Sequence, residues 1–154
     1  TNLLISLAKP DSIMATMKSL GANDIRVLRG VEDNKAFQQG LNNTTTAYDL
    51  LLIFEKMATG KLVSEKASEA MTRILLDQQF NEIIPAQLPE GVKVAHKTGS
   101  IKGVQHDSGI VILPDGRKYV LVLLSRFNPA DEKKVIAAMA DVSKLFYDRF
   151  TRKI

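Results

Sequence analysis

Lys97, Thr98 and Gly99 stand in direct succession, with His96 before them and Ser100 after, and the runs on either side read as β-strand. These residue types suit one task. Lys97 supplies a cation and Thr98 a hydroxyl, and Gly99, with no side chain, lets a ligand approach the backbone closely. A carboxylate would be held by Lys97 and Thr98, while the N–H of Ser100 would polarise a neighbouring carbonyl. Taken alone, the same triplet also fits a solvated lysine beside a turn, so the rest of the chain must decide.

The elements that would position this group divide into a mainly helical part, residues 1–88, and a part of sheet plus helix, residues 89–154. Together they make one α+β domain. The opening "TNLLISLA" reads as an apolar helix without a capping residue before it, as if the chain began inside a helix. Pro10 stops it, and Ile13, Met14, Met17 and Leu20 give a second helical stripe closed by Gly21. Between residues 23 and 43 the periodicity fails, which predicts a loop of about twenty residues, a length usually tied to function or disorder. Thr46 and Asp49 form a capping box for a helix burying Leu50, Leu51, Phe54 and Met57. Ser64 caps another, with Ala67, Met71, Ile74 and Leu75 inward.

After Pro89 the period changes. "VKVAHKT" (92–98) and "GIVILPDGRKYVLVLLS" (109–125), with a turn at Pro114, Asp115 and Gly116, predict a three-stranded antiparallel sheet. Asn128 and Pro129 then open a terminal helix with Val135, Met139, Val142, Phe146 and Phe150 on the face toward the sheet. Lys97 to Gly99 fall at the end of the first strand.

Composition narrows the function. With 154 residues, 45% hydrophobic and 25% charged, the chain can bury a sizeable core. No apolar run reaches the roughly 20 residues of a membrane span, and no basic-then-apolar leader opens it. The net charge is +4, but 21 basic residues are interspersed with 17 acidic ones, so no nucleic-acid surface is expected. The absence of cysteine excludes disulfides, thiolate zinc sites and cysteine nucleophiles, and two histidines, His96 and His106, make a poor metal site. No cofactor is called for.

"KTG" at a strand end is one of three elements, with Ser-x-x-Lys and Ser-Asp-Asn, of class A β-lactamases and penicillin-binding proteins, and the resemblance extends along nearly the whole chain. "TNLL" resembles the helix after the Ser-Asp-Asn loop, "RGVED" the start of the omega loop, and "NNTTTAYDL" its close. "HKTGS", the two following strands and the last helix come in the family's order. The resemblance implies a β-lactamase-like three-layer fold, here its C-terminal portion, and a serine acyl-enzyme mechanism that opens the lactam ring. By that likeness Lys97, Thr98 and Gly99 bind the substrate carboxylate, Ser100 gives an oxyanion-hole amide, and Glu32 is the base that activates the deacylating water.

Departures from the pattern are specific. The family's arginine lies two residues before the catalytic glutamate, with an asparagine four after it. Here Arg29 lies three before Glu32 and position 36 is Ala36; setting Arg29 in register puts Val31 in the glutamate's place, with Asp33 or Asn34 as substitutes. Asn43 stands where an aspartate usually pairs with that arginine, which predicts a looser loop. The next strand has no arginine where many members carry one, with Gln105 and His106 nearby. The sole Ser-x-x-Lys match, Ser6 to Lys9, is followed by Pro10 at a helix end and is rejected, and Ser-Asp-Asn does not occur.

This chain therefore carries no nucleophile, and alone it is expected to be inactive. The resemblance implies a periplasmic or secreted β-lactam hydrolase in the complete protein. Its alternatives are a penicillin-binding or D,D-peptidase-like protein and a non-catalytic interaction module. The strand at 118–125 would be an apolar edge, open to the missing N-terminal portion or to a second copy.

Overall fold

The structure, a computed structural model, describes residues 1–152. Contacts divide the chain into two compact units, Thr1–Ile53 and Phe54–Ile154, with the boundary inside a helix.

The first unit contains α1 (Asn2–Ala8), α2 (Pro10–Ser19), α3 (Asn34–Gln38) and the start of α4 (Ala47–Ala58). Pro10 occupies the first turn of α2, where its missing N–H costs nothing, and Lys9 before it sits at φ 63°, ψ 131°, a backbone conformation that favours glycine. Ser6 and Lys9 are both exposed, so the rejected Ser-x-x-Lys match has no buried helix start. Among the described residues of this unit only Ala22 and Asp49 are buried.

Polar contacts do the work that apolar burial does elsewhere. Residues 23–43 form the expected loop, closed by a two-bond bridge between Arg26 and Thr44, with N···O distances of 2.9 and 3.0 Å. Inside it lies α3, too short to show a period, whose first turn is capped by Asp33 accepting from the Ala36 N–H at 3.0 Å. Thr46 caps α4 by accepting from Asp49 N–H at 3.1 Å. The reciprocal half of the capping box is absent. Asp49 instead turns its buried carboxylate to the N–H of Asp24, at 3.0 Å, and so ties the loop to the helix. Leu51, expected inward, is exposed, whereas Phe54 and Met57 are buried.

In the second unit α5 (Glu65–Leu76) packs along β1 (Lys93–Ile101), followed by β2 (Val104–Ile112), β3 (Lys118–Arg126), a short 3-10 turn at Pro129–Asp131, and α6 (Glu132–Thr151). The sheet is antiparallel in the order β1-β2-β3, as the alternation predicted. Its first hairpin is longer than predicted. β1 runs on to Ile101 and β2 begins at Val104, because Gly103 at φ 77° lets the chain reverse within Lys102–Gly103 and continue the ladder through Gln105, His106 and Asp107. These polar residues carry no apolar alternation, which hid the start of β2.

Strand alternation places Val94, Val111, Tyr119 and Leu121 on one face, where they form the core with Ile83, Ile84, Leu113 and Met139. Burying each large aliphatic side chain is worth about 1.5–3 kcal/mol. α6 meets β2 and β3 through Met139, Ala140 and Ser143, with Ile136 and Tyr147 at the margin. The predicted stripe was Val135, Met139, Val142, Phe146 and Phe150, yet Val142, Phe146 and Phe150 are exposed. The small Ala140 and Ser143 admit close approach, and Ser143 Oγ donates to the Ile84 carbonyl at 2.8 Å, which turns the helix by about one residue. Ile74 of α5, also predicted inward, is exposed, while Ser64 caps that helix through Ala67 N–H as expected. Asn128 caps the 3-10 turn rather than α6 itself. Phe150 stacks on Tyr119 with ring centroids 4.7 Å apart, and burial, reinforced by Tyr147, pushes the Tyr119 phenol up to about 12.

Candidate active site

β1 is an edge strand, pairing only with β2 among the described residues. Lys97, Thr98, Gly99 and Ser100 lie inside it rather than at its end, opposite Ser108, Asp107, His106 and Gln105. Lys97, Gly99 and Ser100 are exposed and Thr98 is half-buried. Alternation puts the side chains of His96, Thr98 and Ser100 on one face of the strand and those of Lys97 and Gly99 on the other. The Lys97 ammonium donates to the Thr98 carbonyl. Gly99 is demanded neither by a positive φ nor by crowding, because a Cβ there would meet His106 Cβ at an ordinary 3.8 Å. What its hydrogen leaves open is the backbone itself.

Beneath this edge lies a polar pair that the sequence reading missed. His96 and Asp107 are 1% and 0% exposed, and His96 Nδ1 lies 2.8 Å from Asp107 Oδ1. A carboxylate only accepts, so Nδ1 carries the hydrogen. Asp107 Oδ2 accepts from the Ile84 N–H at 3.0 Å. At the far end of the ring, Nε2 meets the Gln78 amide and lies 3.3 Å from Asn81 Oδ1. One chain of hydrogen bonds thus ties residues 78–84 to the strand that bears Lys97. Gly109 makes room for it: a Cβ there would sit 2.7 Å from His96 Cα, so the two strands could not pair at their present spacing.

Gln105, directly opposite Ser100, is also buried, and its side-chain Oε1 has no hydrogen-bond partner among the described residues. His106 is half-buried on the Gly99 face, with Nδ1 2.8 Å from the Gln105 carbonyl and 3.2 Å from the Ser125 nitrogen. Among the described residues no group of three or more histidine, cysteine or acidic side chains is arranged to hold a metal.

In the first unit Glu32 is exposed, with φ 65°, and its carboxylate meets no partner among the described residues. The residue that the fold grips is its neighbour. Asn2 holds Val31 from both sides, accepting from Val31 N–H at 2.6 Å and donating to Val31 C=O at 2.9 Å. Gly30 lets it approach, since a Cβ there would lie 3.1 Å from Asn2 Oδ1. Asn43 accepts from the Leu28 and Arg29 N–H groups at 2.8 and 3.1 Å and donates to the Arg29 carbonyl at 3.0 Å. The predicted looseness at Asn43 is therefore offset by three bonds to backbone, the last of which an aspartate could not make. Arg29 turns to the Gly30 carbonyl at 2.9 Å and over the Phe37 ring at 5.3 Å.

The sequence profile described as "Beta-lactamase enzyme family" matches residues 1–150. The chain belongs to that family. A β-lactamase of Bacteroides uniformis is 33% identical over 124 residues, covering 75% of this chain and 42% of that protein. Among solved structures, PBP-A superposes with a TM-score of 0.83 at 26% identity, over 95% of this chain and 53% of its own. A mutant of PBP-A is known as an acyl-enzyme complex with penicillin G. A class A β-lactamase of Bacteroides cellulosilyticus gives a TM-score of 0.80 at 25% identity, over 95% of this chain and 56% of its own. The chain thus spans about half the length of these β-lactamase-family relatives.

A signal for the missed pair was present in the sequence. Placing the hairpin turn at Lys102–Gly103 sets His96 opposite Gly109 and puts Asp107 on the face of His96. The clamp of Asn2 on Val31, which spans 29 positions, has no local signature.

Proposed function

We propose that the full-length protein is a serine β-lactamase-like hydrolase, this chain being the C-terminal portion of one catalytic domain. One observation carries the reading. A β-lactamase-family chain presents Lys97, Thr98, Gly99 and Ser100 along an unpaired strand edge, with a glycine that the fold itself does not require. In this reading Lys97 and Thr98 hold the substrate carboxylate, Gly99 admits the ligand to the backbone, and the Ser100 N–H stabilises the oxyanion formed when a serine outside this chain attacks the lactam carbonyl. Residues 23–43 act as the omega loop, and Glu32 as the base that directs water onto the acyl-enzyme. Export to the periplasm or medium fits such chemistry, and among the described residues no helix is long and apolar enough to cross a membrane. The outer edge of β3 is unpaired among the described residues and would be covered by the remainder of the protein or by a second copy.

A second reading, acylation without efficient release as in a penicillin-binding protein, is favoured by the loop. The backbone held by Asn2 is that of Val31, two residues after Arg29, so the position in register with the family's glutamate carries an apolar side chain. Intact-mass spectrometry of the full-length protein with a chromogenic β-lactam separates the cases. A transient adduct with turnover supports the hydrolase; a persistent adduct supports the penicillin-binding alternative; neither adduct nor turnover leaves a non-catalytic module.

A further inference from the structure

Lys97, Thr98 and Ser100 line a cavity of about 440 Å³ whose apolar lining is Phe80, Ile83 and Ile136. Ile83 is buried and Ile136 half-buried, whereas Phe80 is 71% exposed. The fold nevertheless fixes the backbone of Phe80. Half-buried Gln78 clamps it from both sides: Gln78 Oε1 accepts from the Phe80 N–H at 2.9 Å, and Gln78 Nε2 donates to the Phe80 carbonyl at 3.1 Å. The same amide meets Nε2 of His96, the residue immediately before Lys97. The turn that carries Phe80 is thereby anchored to the strand that carries the lysine. An aromatic ring left in water on a fixed backbone, in one cavity with a cation and a hydroxyl, has the make-up of a ligand pocket, with apolar walls and a few polar groups that set orientation. Glu82 and Glu132, both exposed, line the cavity as well, so the occupant of its apolar side carries no negative charge.

We propose that Phe80 determines specificity: its ring is the apolar wall of a subsite for a neutral aromatic group carried by a β-lactam on the ring carbon next to the one that bears the carboxylate. This rests on the reading of Lys97 and Thr98 as the carboxylate site and adds the class of β-lactam that the site selects. With the carboxylate on Lys97 and Thr98, the substituent nearest to it is the one that shares the cavity with Phe80 and Ile136. An aromatic group there packs against the Phe80 ring, offset or edge to face, and takes apolar surface of both out of water. Because Gln78 holds the Phe80 backbone beforehand, less freedom is lost when the ligand arrives. A methyl group makes far less of this contact.

The test uses the full-length protein and two cephalosporins that share nucleus, carboxylate and acyl side chain. One carries a phenyl group on the ring carbon next to the carboxylate-bearing one, and the other a methyl group. With protein in excess, the loss of lactam absorbance gives the second-order rate constant of ring opening, whether or not the acyl group is later released. The phenyl compound is expected to react about tenfold faster. That advantage should fall toward unity in Phe80→Ala, through loss by the phenyl compound, and persist in Phe80→Tyr. In Gln78→Ala, which keeps the ring but frees its backbone, about threefold should remain. Equal rates in the native protein, with both compounds slowed by Lys97→Ala, would overturn the aromatic subsite and leave the carboxylate site standing. An unchanged advantage in Phe80→Ala, together with a lower melting temperature, would also overturn it and would show that the remainder of the protein covers this ring. If Lys97→Ala slows neither compound, or if neither ring opens, the carboxylate site fails and the proposal for Phe80 fails with it.

Discussion

The long loop of the first unit and the β1–β2 hairpin of the second both depend on buried or bridging polar side chains, but in different settings. In the loop, Asn2, Asn43 and Asp49 pin backbone groups in a unit with only two buried residues among those described. In the hairpin, His96 and Asp107 are sealed from water at 1% and 0% exposure, with the Ile84 N–H bonded to Asp107. The same kind of bond therefore carries different weight. Where water can replace a lost partner the cost is local, and where it cannot the whole fold bears it.

The largest expected effect tests the sealed side of this contrast. Gly109→Ala puts a methyl group into the backbone of β1 at His96, and the strands must separate. We expect a loss of about 3 kcal/mol or more in urea unfolding. A change within about 0.5 kcal/mol would mean that the hairpin is far more pliant than its packing indicates.

Next comes Asp107→Ala, which strands both the His96 Nδ1 hydrogen and the Ile84 N–H. A loss of about 2–4 kcal/mol is expected, with Asp107→Asn in between because it keeps one acceptor. Global unfolding is the readout, and equal stability of the native protein and both variants would remove the pair from the fold's support.

On the open side, Asn43→Ala deletes three hydrogen bonds, two accepted and one donated, yet it should cost only about 1 kcal/mol globally. Faster amide exchange at Leu28 and Arg29 is expected, with residues 93–126 unchanged. Spread of the faster exchange into the sheet would break the comparison.

The last effect appears only at high pH and is absent under ordinary conditions. The Tyr119 phenol has its folded pKa raised to about 12, from an ordinary value of 10.0, chiefly by burial. Its contribution to stability is complete below the unfolded value and is lost as pH rises through the folded one. Stability should therefore fall from about pH 10 to about pH 12 more steeply in the native protein than in Tyr119→Phe, by on the order of 2 kcal/mol at the upper end. Parallel curves would show that the phenol is not desolvated.

The same contrast explains what could be read in the sequence. Strong periodicity announced α4, α5, α6 and the three strands, and cap residues Thr46 and Ser64 act as their types suggest. Lys97, Thr98 and Gly99 were visible because they are consecutive. What escaped were pairings made across space. Gln105, His106 and Asp107 interrupt apolar alternation and so concealed the start of β2, although the ladder takes them without difficulty. The buried face of α6 was misjudged because Ala140 and Ser143 count little on a hydrophobic scale but allow the closest approach. Asn2 and Asn43 look like loop residues until their partners, 29 and 14 or 15 positions away, are known.

The most direct test of the active-site reading is Lys97→Ala in the full-length protein, with kcat/KM measured on a carboxylate-bearing β-lactam. Lys97 is exposed, so the melting temperature should move by no more than a degree or two, while kcat/KM falls about a hundredfold or more as the charge-assisted hold on the carboxylate is lost. An unchanged kcat/KM with an intact fold would contradict the assignment of this strand edge as the substrate site.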